Sequence, residues 1–179
     1  SPPYGYKLAE ENGRRTLEIS EAEGRGVKMI FHWFTAGYDD SGPLSLRAIT
    51  ERLTAKEVPT KADSDTRMMK RSGYGEWNST TVRTMLKRET YAGTFHYGKV
   101  RKNNTRRVEN PRDTWIPVEV PAIVSHETWE TAQEQLEENR HNARRHTRHQ
   151  YLLRRRVECA VCHSKIYAKT ITPRSKSYS

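Results

Sequence analysis

The segment GVKMIFHWFTAG, residues 26–37, constrains the fold more than any other stretch. Val27, Ile30, Phe31 and Phe34 recur at i, i+3, i+4 and i+7, the spacing that gathers apolar side chains on one face of an α-helix. Ser20 stands three residues before Glu23, the capping-box spacing that satisfies orphan N–H groups at a helix start, and Gly37 supplies a stop. A stripe of this kind must bury against a partner, and partners are scarce. Hydrophobic residues make up 34% and charged residues 30% of the 179 positions, which suits one modest core with large solvated faces.

The flanking segments supply candidate partners. Tyr4 to Leu8 and Thr16 to Ile19, separated by EENGRR, read as a β-hairpin whose Asn12-Gly13 provides the positive-φ positions of a tight turn. SLRAITERLTAKEVP carries Leu46, Ile49 and Leu53 on one face until Val58-Pro59, a second helix. Residues 60–76 lack periodicity and are expected to form a loop. In WNSTTVRTMLKRETYAG, Asn78 or Ser79 is a good N-cap and Val82, Met85 and Leu86 form an apolar stripe, a third helix. TFHYGKV alternates like a strand, RKNNTRRVENPRD reads as a polar basic loop, and WIPVEVPAIV as a broken edge strand, so the loop resembles a wing. Ser125 is expected to cap a fourth helix with Trp129, Ala132 and Leu136 inward. RHNARRHTRHQ is then a cationic linker before YLLRRRVECAVCHSKIYAK.

Charge is segregated along this plan. The balance is −1 over residues 1–60, +8 over 61–112, −7 over 113–139 and +10 over 140–179. Blocks of one sign attract a polyanion, and a sequence pI of 9.7 favours nucleic acid. No apolar run approaches the roughly 18 residues of a membrane span, and the opening SPPYGYKLAE lacks the plan of a signal peptide. A soluble cytoplasmic protein is expected.

Catalysis finds no support in the residue pattern. No Gly-rich phosphate loop and no paired acidic metal motif is present, and His32, His126, His141, His146 and His149 lie where histidines are usually solvated or structural. The third helix and the wing fit duplex DNA better, with hydroxyls and cations reaching base edges and phosphates. The candidate contacts are Lys70, Arg71, Ser79, Thr80, Thr81, Arg83, Thr84, Lys87, Arg88, Lys99, Arg101, Lys102, Arg106 and Arg107, with Arg144, Arg145 and Arg148 in the linker. The competing reading is an ordinary amphipathic helix with a wet face.

Cys159 and Cys162 are the only cysteines, at the spacing that aims two thiolates at one ion, while a structural zinc takes four ligands. Three readings stand open: half of a zinc ribbon, a site completed by His163 or a linker histidine, and two inert thiols. A redox C-x-x-C is disfavoured because the flanks look like hairpin strands rather than the opening of a helix.

PPYGYKL, EAEGRGVKMIFHWFTAG, SLRAITERLTAKEVPT, WNSTTVRTMLKRETYAGTFHYGK, VPAIVSHETWETAQEQL and YLLRRRVECAVCHSKIYA resemble, in this order, the blocks of the large serine recombinases, which include phage integrases and transposases of mobile elements. The resemblance implies an α+β fold: an N-terminal β-hairpin, a helical cluster with a winged-helix-like DNA-binding element, then a truncated zinc β-ribbon. It implies a recombinase DNA-binding domain over residues 1–139, a basic linker over 140–150, and the start of the ribbon over 151–179. Cys159 and Cys162 would hold Zn2+ with a second cysteine pair past Ser179. The domain bearing the nucleophilic serine would precede residue 1, so no serine here takes that role and this part is not itself the enzyme. The implied partners are attachment-site duplexes and, for the intact recombinase, further copies in dimers and tetramers. A DNA-binding transcriptional regulator and an RNA-binding zinc-ribbon module are the rival expectations.

Overall fold

A computed structural model describes residues 2–11, 13–39, 42–65, 70, 72–103, 106–142 and 157–166. The chain forms two compact units, residues 1–136 and 137–179. Helices combine with small antiparallel sheets, three of two strands each among the described residues, so the expected α+β class holds.

Strands β1 (Tyr6–Glu11) and β2 (Arg14–Ile19) pair in register from Tyr6↔Ile19 to Glu11↔Arg14. Gly13 turns between them at φ +72°. Helix α1 (Glu21–Thr35) fully buries Val27, Ile30, Phe31 and Phe34, as the stripe requires. Its start differs from expectation, because the Ser20 side chain makes no capping bond. The Glu23 carboxylate turns inward instead, accepting from Gly5 N–H at 2.9 Å and pairing with Lys61 Nζ at 3.0 Å. A buried carboxylate must find such partners, and that demand outweighs the local cap.

Helix α2 (Leu46–Ala55) is capped by Ser45 Oγ, which accepts from Ala48 N–H at 3.2 Å, and it buries Ile49 and Leu53. The expected loop over 60–76 contains a one-turn helix, α3 (Lys61–Ser64), with a capping box between Thr60 and Asp63. A single turn is too short to show periodicity. Helix α4 (Ser79–Leu86) packs Val82, Met85 and Leu86 inward, against α2 and α1.

A 3-10 turn over Glu89–Ala92 ends at Gly93 and leads into β3 (Thr94–Tyr97). The expected basic loop proves to be a second hairpin, β4 (Val100–Asn103) with β5 (Arg106–Glu109), and β6 (Ile116–Glu119) returns to pair with β3. Strands with no buried face carry no apolar alternation, so the sequence pattern could not show them. Pro117 sits opposite His96 in a two-stranded sheet, where a missing N–H costs no interior ladder bond.

Helix α5 (His126–Asn142) starts with Ser125 Oγ accepting from Thr128 N–H at 3.2 Å and buries Ala132 and Leu136. Arg140 and His141, expected in the linker, belong to this helix; residues 143–150 lie outside the described residues. No helix among the described residues is long and apolar enough to cross a membrane.

Three tyrosines weld β1–β2 to the rest. Tyr6 Oη lies 2.8 Å from both Thr90 O and Pro121 O, Tyr91 Oη donates to Tyr4 O at 2.9 Å, and the rings of Tyr6 and Tyr91 stack with centroids 6.0 Å apart. Burial pushes the Tyr6 phenol up to about 12. Gly5, at φ +92°, threads this cluster; a Cβ there would meet Ile123 Cδ1 at 2.8 Å and Val27 Cγ2 at 2.9 Å.

Candidate nucleic-acid interface

Helix α4 is fixed from both ends. At its start Asn78 Oδ1 accepts from Thr80 N–H at 2.7 Å. Before it, the Trp77 indole donates to Val58 O at 2.8 Å and meets the Tyr4 ring edge-on with centroids 5.1 Å apart. At its end the carbonyl of Leu86, which has no partner within the helix, accepts from Gln133 Nε2 of α5 at 2.8 Å. The inward face is closed by apolar packing, so the outward face is held in one orientation.

That outward face is open. Thr80, Thr81, Arg83, Thr84, Lys87 and Arg88 are all exposed. Ser79 is half-buried with Oγ 3.4 Å from Thr50 Oγ1, so of the expected helix contacts it alone turns toward the fold. The open face divides in two. Thr80, Thr81, Thr84 and Arg88 line a groove of about 1360 Å³, whereas Arg83 and Lys87 lie outside it. Leu8 and Leu17 of β1–β2 and Phe95 and Val118 of β3–β6 also line it.

The β4–β5 arm rises from β3–β6. Its base is ordered by Asn110 Nδ2, which donates to Gly98 O at 2.7 Å, and by the Trp115 indole, which donates to Asn110 O at 3.0 Å. Lys99 sits over the Trp115 ring at 4.8 Å, and Arg112 pairs with Glu89 at 2.9 Å. His96 Nδ1 is 3.2 Å from Glu89 Oε2 but off the hydrogen-bond line. Lys99 is therefore half-committed to the arm, while Arg101, Arg106 and Arg107 are exposed. The register sets Lys102 opposite Arg107.

Other expected contacts fall elsewhere. Lys70 is 15% exposed with its ammonium 2.8 Å from Asp63, itself 5% exposed, so it is an internal cation and not a surface one. Burial opposes ionisation of Asp63, but hydrogen bonds from Lys70, from the Thr60 N–H and hydroxyl and from Gly75 N–H hold its carboxyl well below the usual range. This pair ties α3 to the segment that leads into α4. Arg71, the Lys102 side chain, Arg144, Arg145 and Arg148 lie outside the described residues.

Cys159 and Cys162 sit on a tight turn closed by Cys159 N–H to Ser164 O and His163 N–H to Cys159 O, both 2.9 Å, with a bridge between Glu158 and Lys165. Hydrogen bonding from Ser164 lowers the exposed Cys162 thiol below its ordinary range, in the direction a metal ligand needs. The two thiols fit half of a tetrahedral set. No group of three or more His, Cys, Asp or Glu residues that could hold a metal occurs among the described residues.

Sequence reasoning missed Gln133, Leu8 and Phe95. Nothing in a polar helix face announces which glutamine reaches a neighbouring carbonyl, and the groove walls exist only once the two sheets are placed. It also missed Lys61, whose partner Glu23 lies 38 positions away.

The Recombinase family model matches residues 21–139. The chain is 30% identical over 187 aligned positions to a Bacillus subtilis (strain 168) protein named "Putative DNA recombinase", covering 98% of this chain and 34% of that one. Among solved structures it is similar to an LSR–DNA complex (TM-score 0.48, 15% identity, 78% of this chain and 32% of that one). It is likewise similar to a structure from work on the Listeria innocua prophage attP site (TM-score 0.49, 16% identity, 92% and 54%). The chain belongs to the Recombinase family, on the strength of the family model and the curated relative. It spans about a third of that relative's length.

Proposed function

We propose that this chain is the duplex-DNA-binding part of a site-specific serine recombinase, recognising attachment sites where a mobile element integrates or excises. The observation that carries this reading is α4: anchored at Asn78 and Leu86, it leaves six hydroxyl-bearing or cationic side chains from Thr80 to Arg88 exposed together. In a winged-helix-like use, α4 enters the major groove while Arg101, Arg106 and Arg107 of β4–β5 follow a neighbouring phosphate strand. The name of the curated relative supports DNA recombination as the setting. Strand exchange by a nucleophilic serine, assembly into dimers and tetramers, and a cytoplasmic location are proposed for the whole protein. Cys159 and Cys162 would supply two of four thiolates to a Zn2+ that stiffens a ribbon.

The test is selection of binders from a randomised duplex pool, followed by fluorescence anisotropy on the selected sequence. Arg83→Ala and Lys87→Ala are expected to weaken that binding by roughly tenfold or more each, the loss of one charge-assisted contact. Enrichment of no duplex, or displacement by structured RNA of the same length, would overturn the reading in favour of an RNA module.

A further inference from the structure

The two exposed stripes of α4 offer different chemistry. Arg83 and Lys87 present charge alone, whereas the groove stripe of Thr80, Thr84 and Arg88 includes a threonine whose hydroxyl is already engaged. Thr84 Oγ1 donates to Thr80 O at 2.8 Å, the back-bond a helical threonine makes to the carbonyl one turn earlier. That bond fixes the rotamer and spends the hydroxyl's only proton inside the helix. The oxygen keeps lone pairs that can still accept, and the one apolar group the exposed side chain offers a partner is its Cγ2 methyl. The surroundings match, because Met85, Leu8, Phe95 and Val118 line the same groove.

Base edges in the major groove offer hydrogen-bonding groups with one apolar exception, the C5-methyl of thymine, which is met by alanine, threonine methyl or aromatic carbon. We infer that Thr84 is a specificity-determining residue that reads thymine through methyl-to-methyl contact, so that the preferred duplex carries a T·A pair opposite it. The inference rests on α4 meeting duplex DNA, as proposed above, and adds which base it favours and through which group. Arg88, one turn further along the stripe, is left to engage a guanine edge or a phosphate.

Deoxyuridine lacks only that methyl, which makes it the probe. The duplex selected by the wild-type chain is resynthesised with deoxyuridine at each thymine in turn, and the ratio of affinities for the thymine and deoxyuridine forms is measured by anisotropy. Wild type is expected to show a ratio of about fourfold at one position, the effect of one apolar carbon removed from water. Thr84→Val, which keeps a methyl there and lacks the hydroxyl, retains the ratio; Thr84→Ser, which keeps the hydroxyl and lacks the methyl, brings it to about one. A wild-type ratio of one at every position, a preference that survives Thr84→Ser, or one that Thr84→Val abolishes would overturn the inference while leaving salt-dependent duplex binding intact. Failure of the wild-type chain to select any duplex is the separate result that removes the DNA-binding reading and this inference with it.

Discussion

Hairpins β1–β2 and β4–β5 share antiparallel ladder geometry but stand in opposite relations to the core. The first leads from Tyr4 and Tyr6, both buried and hydrogen-bonded to carbonyls up to 115 positions away, and rests on the buried carboxylate of Glu23 through Gly5. The second exposes every described side chain of its strands, including Val100, Val108, Arg101, Arg106 and Arg107. No ion pair among the described residues engages those three arginines. Removing residues from one hairpin should unfold the protein; removing them from the other should leave the fold intact and weaken its grip on a polyanion.

Four substitution experiments bear on that contrast. Tyr6→Ala removes a fully buried ring and its hydroxyl, and should cost about 3–5 kcal/mol in urea unfolding; a loss under about 1 kcal/mol would break the comparison at its strong end. Asp63→Asn puts a neutral amide in place of the carboxylate facing the part-buried Lys70 ammonium and should cost about 2 kcal/mol at neutral pH. Its pH dependence has a definite sign. Because the folded-state value of Asp63 is depressed, the unfolded chain binds more protons between that value and the ordinary aspartate value near 4. The stabilisation is thus complete above the ordinary value and is lost as pH falls toward the folded one. Thermal melts from pH 7 to pH 3 should decline for wild type more than for Asp63→Asn.

Tyr6→Phe keeps the ring and removes only the shared hydrogen bond to Thr90 and Pro121, for about 1 kcal/mol. The smallest stability effect belongs to the triple substitution of Arg101, Arg106 and Arg107 by alanine, within about 0.5 kcal/mol of wild type. In affinity the order reverses, since that triple variant should lose most of its duplex binding at 150 mM salt while Tyr6→Phe binds normally.

The parts of the molecule readable from its sequence are those where burial is periodic. Val27 to Phe34, Ile49 with Leu53, Val82 with Leu86, and Ala132 with Leu136 sit inward as their spacing requires. What the sequence hid was either too short or too solvated to leave a period. Helix α3 is one turn, β4–β5 buries no side chain among the described residues, and the box expected at Ser20 and Glu23 does not form because Glu23 is drawn to Gly5 and Lys61. At the candidate interface the exposed cations and threonines of α4 were legible. Lys70 was misjudged, because a lysine's spot in the chain says nothing of a carboxylate seven positions back that is 5% exposed. Which stripe of α4 faces a groove depended on where two distant sheets came to lie.

The central claim is that α4 and the β4–β5 arm together face a double helix, and the salt dependence of duplex affinity tests it most directly. For wild type the logarithm of the binding constant should fall linearly with the logarithm of salt concentration, and the Arg101, Arg106 and Arg107 triple variant should show a slope shallower by about 0.9 for each phosphate contact removed. Identical slopes for the two proteins, or wild-type binding indifferent to salt, would contradict it.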